Sequence, residues 1–140
     1  MEVPLPTGGK GYGRVLKSPL MAFYSAKAEC SLPAEDILRK PIAFRVWVMR
    51  SAIDSGRWPV VGHAPLEPEL QTSPMFFKQD AISKAFTLYR DGAERPATLD
   101  ECNGLECAAA WSAQHVESRL EDHLMGRPNK WVESLKPRAP

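Results

Sequence analysis

A chain of 140 residues, 44% hydrophobic and 25% charged, has the proportions of one globular domain, expected here to span 1–140. Eighteen Lys and Arg stand against seventeen Asp and Glu, and a net charge of +1 supplies no field strong enough for non-specific attraction to phosphates. General nucleic-acid binding is therefore disfavoured, and no apolar run approaches the roughly 18 residues of a membrane span.

Thirteen prolines and nine glycines break the chain into short elements, which argues for a β-rich α+β domain and against a bundle of long helices. Thr7-Gly8-Gly9-Lys10-Gly11 separates Val3-Pro4-Leu5 from the strand-like Tyr12-Gly13-Arg14-Val15-Leu16, and the three pieces fit a hairpin. A short strand follows over 20–24. Residues 31–38 read as a capped helical turn with acids near its N-terminus, limited by Pro41. Ile42, Phe44, Val46 and Val48 alternate with Ala43, Arg45, Trp47 and Met49, so both faces are largely apolar, which predicts a strand in the middle of the sheet. Arg57-Trp58-Pro59-Val60-Val61-Gly62 reads as another strand, with Pro59 suited to an edge or a bulge. Residues 64–74, with Pro65, Pro68 and Pro74, form a surface loop.

Met75-Phe76-Phe77-Lys78 and Phe86-Thr87-Leu88-Tyr89 predict two more strands, the second ending at the Asp91-Gly92 turn. Thr98 and Glu101 have the spacing of a capping box. Residues 105–111 suit either a helix or a strand, with the strand preferred. The clearest helix, about 112–125, starts after the N-cap Ser112. It carries Val116, Leu120 and Leu124 at four-residue spacing and stops at Gly126 and Pro128. His115, Arg119, Asp122 and His123 lie off that stripe, and Glu117 and Glu121 fall on its more solvated side. Trp131, Val132 and Leu135 mark a last packed segment, and 137–140 is expected to be a disordered tail. The fold class is α+β: a strongly curved, mainly antiparallel β-sheet or small barrel, with one clear C-terminal helix and short helical turns.

Candidate chemistry is sparse. His115 and His123 are eight residues apart, about 12 Å along a helix axis, too far for both to hold one small ion. No HExxH, zinc-knuckle or calcium-loop spacing occurs, which leaves only a metal site dispersed in sequence. The glycine run at 8–13 lacks a GK[ST] ending and continues into strand-like residues, so it reads as a turn and not a phosphate loop. No GxSxG surrounds Ser51, Ser55 or Ser73. Cys30, Cys102 and Cys107 are too few for a disulfide framework and read as reduced, buried thiols. No catalytic residue, metal ligand or cofactor is assigned. For partner binding, the acids Asp91, Glu94, Glu101 and Glu106 could face a basic protein surface, and the polar helix side with His115 and Arg119 is the companion candidate. Residues up to Arg57 sum to +4 and the rest to −3, so the surface is potentially bipolar. The first six residues lack a basic segment and an apolar run, so a cytoplasmic location is expected.

The segments Tyr12-Gly13-Arg14-Val15-Leu16, Pro41-Ile42-Ala43-Phe44-Arg45-Val46-Trp47-Val48, Ser55-Gly56-Arg57-Trp58-Pro59-Val60-Val61-Gly62 and Phe76-Phe77-Lys78-Gln79-Asp80 resemble, in this order, the immunity 26 family of bacterial polymorphic-toxin systems. Tyr89-Arg90-Asp91-Gly92, Glu101-Cys102-Asn103-Gly104-Leu105-Glu106 and Gly126-Arg127-Pro128-Asn129-Lys130-Trp131 extend the resemblance over almost the whole chain. It implies an α+β immunity protein that neutralises a cognate protein toxin inside the cell by covering its surface, without catalysis. The same family label is attached to a phosphotriesterase called HocA, which makes metal-dependent phosphotriester hydrolysis the alternative. Three scattered histidines are meagre ligands for it. A second alternative is a small ligand-binding or regulatory module with aromatic residues around a pocket.

Overall fold

A computed structural model describes all 140 residues. In chain order the strands are β1 (Glu2–Pro4), β2 (Lys10–Val15), β3 (Leu20–Tyr24), β4 (Ile42–Val48), β5 (Phe76–Gln79), β6 (Phe86–Arg90), β7 (Ala93–Ala97), β8 (Glu106–Cys107) and β9 (Ala110–Trp111). The helices are α1 (Ala34–Leu38), α2 (Ser51–Asp54), α3 (Pro68–Gln71), α4 (Leu99–Cys102), α5 (Ala113–Leu124) and α6 (Lys130–Ser134). None is long and apolar enough to cross a membrane.

Five strands in the order β1-β2-β3-β4-β9 form a strongly curled half-barrel, and β7-β6-β5-β8 form a second sheet. The loop at 5–9 closes the antiparallel β1–β2 hairpin, with Pro4 opposite Lys10. As the alternation predicts, β4 is an interior strand: Phe44, Val46 and Val48 are buried on one face, and Trp47 packs on the other. The centre of the sheet is β3, which is buried at every position. Asp91 and Gly92 connect β6 to β7 with φ of 49° and 85°, the positive pair that a two-residue hairpin turn requires.

The two faces of the first sheet have different neighbours. Met21, Phe23, Phe44, Val46 and Val48 pack on α5, where Val116 and Leu120 are fully buried. Each such side chain contributes about 1.5–3 kcal/mol of burial. Leu20, Ala22 and Trp47 meet Phe76 and Tyr89 of the second sheet, with the Trp47 ring 4.7 Å from Phe76 and 5.4 Å from Tyr89. The opposite face of the second sheet buries Phe77, Phe86 and Leu88 against Cys102 of α4. That helix starts with the reciprocal Thr98–Glu101 capping box its spacing predicts. Gly11 seats α5 on the sheet, because a Cβ there would lie 2.5 Å from Leu120 Cδ2 and 3.2 Å from Leu5 Cδ2.

The open choice at 105–111 resolves into two short parallel pairings. Cys107 lies opposite Phe77 in the second sheet, and Trp111 opposite Val48 in the first, so Ala108 and Ala109 carry the chain from one sheet to the other. Three expectations are corrected. Residues 57–62 are not a strand: after α2 the fully buried Trp58 donates its N–H to Ala52 O at 2.9 Å, and this anchor takes the following residues out of any ladder. Glu117 and Glu121 are buried, because with Ala113, Val116, Leu120 and Leu124 they complete an i, i+3, i+4 face wider than the apolar stripe alone. Cys30 is exposed, whereas Cys102 is buried and Cys107 intermediate. At the C-terminal end, Gln79 Nε2 donates to Arg138 O at 2.8 Å and Arg138 N donates back to Gln79 Oε1 at 3.2 Å.

Candidate partner-binding surface

An open groove of about 400 Å³ lies where β2, β3, α1, α2 and residues 60–64 meet. Eleven of its seventeen lining residues are hydrophobic, so its floor is apolar. Met21 and Val15 come from the β2–β3 hairpin, Ile37 from α1, Ile53 from α2, and Val60 and Val61 from the run after Trp58. The titratable side chains of the lining are Arg14, Tyr24, Arg50 and His63, with no carboxylate among them.

The wall at 60–63 is suspended between anchors. At one end Trp58 is buried and Glu2 N donates to Pro59 O at 3.0 Å. At the other, Arg14 donates to Glu67 Oε2 at 2.7 Å, Pro65 O at 2.6 Å and Ala64 O at 3.1 Å. This places a nearly buried guanidinium under the 64–67 loop. The carboxyl of Glu67 is held below its ordinary value by its own backbone hydrogen bond and by Arg14. Between the anchors, Val60, Val61, Gly62 and His63 make no hydrogen bond through their backbone groups to the rest of the protein. Val60 and Val61 are 48% and 47% exposed, large values for adjacent valines.

The helix α5 is fixed by charge as well as packing. Arg57 Nε and Nη2 each approach a Glu117 carboxylate oxygen at 2.7 Å, and Trp58 Nε1 donates to the same carboxylate at 2.8 Å. Glu121 accepts from Thr7 N at 2.9 Å and from the Thr7 hydroxyl, tying down the turn of the first hairpin. Asn129, also buried, caps α6 by accepting from Trp131 N and Val132 N while donating to Ser118 and Asp122.

Of the residues proposed from sequence for partner binding, the structure joins only Glu106 and Arg119 directly. Arg119 Nη1 and Nη2 meet the Glu106 carboxylate at 3.0 and 2.5 Å, and the guanidinium carbon lies 4.0 Å from the Phe44 ring centre and 5.0 Å from that of Trp111. His115 stacks on Trp131 at 3.7 Å. The other acids are exposed, each with its own partner: Asp91 accepts from Ser73 Oγ, Glu94 pairs with Lys78, and Glu101 pairs with Arg95. These cations offset the negative field of the acidic stretch. His63 lies at the groove, while His123 contacts Ser25. No three His, Cys, Asp or Glu side chains gather as a possible metal-holding group. Burial raises the Cys102 and Cys107 thiols above their usual value and keeps them protonated at neutral pH.

Sequence reasoning missed the groove, because Val60-Val61 between Pro59 and Gly62 has the appearance of strand interior. The nearest signal was the density of Pro and Gly from Pro59 to Pro65, which opposes ladder formation.

Residues 1–88 match the model of immunity protein 26. The chain belongs to the immunity protein 26 family. No curated protein and no solved structure matches it. Every residue lining the groove lies between positions 1 and 64, within the immunity protein 26 segment. Asp91, Glu94, Glu101, Glu106, His115 and Arg119 all lie beyond it.

Proposed function

We propose that this immunity-family chain binds a cognate bacterial polymorphic toxin in the cytoplasm and neutralises it by covering its working surface, with no bond made or broken by the chain itself. The observation that carries this reading is the immunity protein 26 match over residues 1–88. The surface of that segment supports it, because a concave apolar floor with a polar rim is the usual anatomy of a protein interface core. A stable interface of about 1,600 Å² engages roughly 20–30 residues a side, more than the groove alone, so neighbouring surface takes part. The exposed Asp91, Glu94 and Glu101 serve on this reading as outlying charges that affect encounter rate more than affinity.

The test is co-expression with candidate toxin domains from the genes that neighbour this one. Rescue of growth, together with a complex that survives size-exclusion chromatography, is the expected result. Absence of both overturns the reading. Chelator-sensitive turnover of a phosphotriester by the purified chain would replace it with hydrolysis.

A further inference from the structure

We infer that the groove walled by residues 60–63 is the docking site for an apolar segment of the toxin that carries a carboxylate, bound main chain to main chain along Val60-Val61-Gly62-His63. This inference rests on the immunity reading and deepens it by assigning the face and the chemistry of the segment.

Three observations converge on this stretch. First, four consecutive residues have backbone N–H and C=O groups that no part of the protein engages, although both flanks are pinned. Peptide groups held in place with free donors and acceptors are what an incoming chain pairs with, and such pairing supplies affinity independent of side-chain identity. Second, the side chains beside these groups are apolar. Val15, Val60 and Val61 are among the exposed large hydrophobics, and they lie along the same apolar floor as Met21, Ile37 and Ile53. Exposed valines are isolated elsewhere on ordinary surfaces, whereas three around one groove form a patch.

Third, the charges of the lining fix the sign of the ligand. Arg14 is satisfied by Glu67, which leaves Arg50 as the cation facing an occupant, beside the polar side chains of Ser18, Tyr24 and His63. The Arg50 side chain is 70% exposed, and its partner is Asp54 in an i, i+4 surface contact at 3.3 Å. Such an exposed pair is weak, so a carboxylate arriving in a less hydrated groove can replace Asp54. An apolar segment with no acid would leave Arg50 and His63 at its edge without new partners, and a basic segment would be repelled.

The experiment uses the full chain and a catalytically inactive form of the toxin domain that the co-expression test identifies. Hydrogen–deuterium exchange reads the four amides, and titration calorimetry reads affinity. In the free chain the amides of 60–63 exchange rapidly, and in the complex they slow at least about tenfold. Val61→Asp weakens binding about thirtyfold, the size of an interface hot spot, and Arg50→Glu about tenfold with a shallower salt dependence. Glu94→Lys, on the acidic face, changes affinity less than about threefold. Exchange needs no variant, so it stands even if a substitution disturbs folding. If the wild-type complex forms while the 60–63 amides exchange as before, the groove assignment is overturned and the immunity reading survives. If the wild-type chain binds no toxin, both fall. Slowed exchange at 60–63 without toxin, with a dimer in sedimentation that Val61→Asp abolishes, would make the occupant a second copy of the chain and overturn the toxin segment.

Discussion

Arg57 and Glu117, sixty positions apart, meet in a two-point ion pair that fixes α5 to the residues entering the groove wall. The carboxylate is 6% exposed and the guanidinium 43% exposed, so the two partners differ in what their loss leaves behind. Arg57→Ala leaves a buried carboxylate with only the Trp58 indole as donor. We expect a loss toward the low end of the roughly 3–5 kcal/mol seen for broken buried pairs, since Arg57 already keeps part of its hydration. Glu117→Gln preserves the shape and removes the charge, so the double variant Arg57→Ala with Glu117→Gln should be more stable than Arg57→Ala alone. Urea denaturation of all four proteins gives the coupling, and additive losses would show that the pair does not act as a unit.

Gly11 permits the contact between α5 and β2. A methyl group at that position would overlap Leu120 Cδ2, and Leu120 is fully buried. Gly11→Ala should cost about 1–3 kcal/mol. Leu120→Ala alone opens a cavity worth about 2–5 kcal/mol. Combined, the two should cost clearly less than their sum, because the methyl at 11 occupies part of the vacated space. A fully additive pair in thermal unfolding would contradict this packing.

Acid should loosen the hairpin and the groove wall together. The Glu2 carboxyl is held below its usual value mainly by a hydrogen bond with Ser31 and by Lys10, and that of Glu67 by its backbone and by Arg14. A carboxyl whose value is lowered by folding stabilises above its unfolded value of about 4.5, and that contribution disappears as pH falls through the lowered one. The urea midpoint should therefore drop between pH 5 and pH 3. Glu67→Gln should lower the midpoint at pH 7 and flatten the slope on the acid side. An unchanged slope would remove Glu67 from the account.

The three thiols should react in the order of their surroundings. Cys30 is exposed, Cys107 is half-buried and Cys102 is enclosed by Phe77, Phe86 and Leu88. With a disulfide reagent at pH 8, Cys30 should react at once, Cys107 more slowly, and Cys102 only as the second sheet opens. Cys30→Ser should abolish the fast phase. A Cys102 that reacts as fast as Cys30 in the native protein would refute the packing of α4 on that sheet.

Much of the architecture was legible because its causes are local. The β1–β2 hairpin, β3, β4, β5, β6 and α5 follow from alternation, turn residues and helical spacing, and Thr98 with Glu101 forms the expected cap. The errors share a cause. Glu117 and Glu121 were placed in solvent by polarity, yet their partners Arg57, Trp58 and Thr7 are remote in sequence and become neighbours only when the sheet curls around α5. Residues 57–62 look like a strand by composition, and whether a strand forms depends on a neighbour being present to pair with them.

The amino-acid order by itself determined the α+β class and the places of the longer elements, since these depend on side-chain periodicity and on the backbone limits of Gly and Pro. Its resemblance to immunity protein 26 was also visible there. Only the tertiary structure decided which charges are buried, how 105–111 passes between the sheets, and where the apolar groove lies. Burial and pairing are relations between distant residues, and a valine pair becomes core or surface according to what the rest of the chain brings against it.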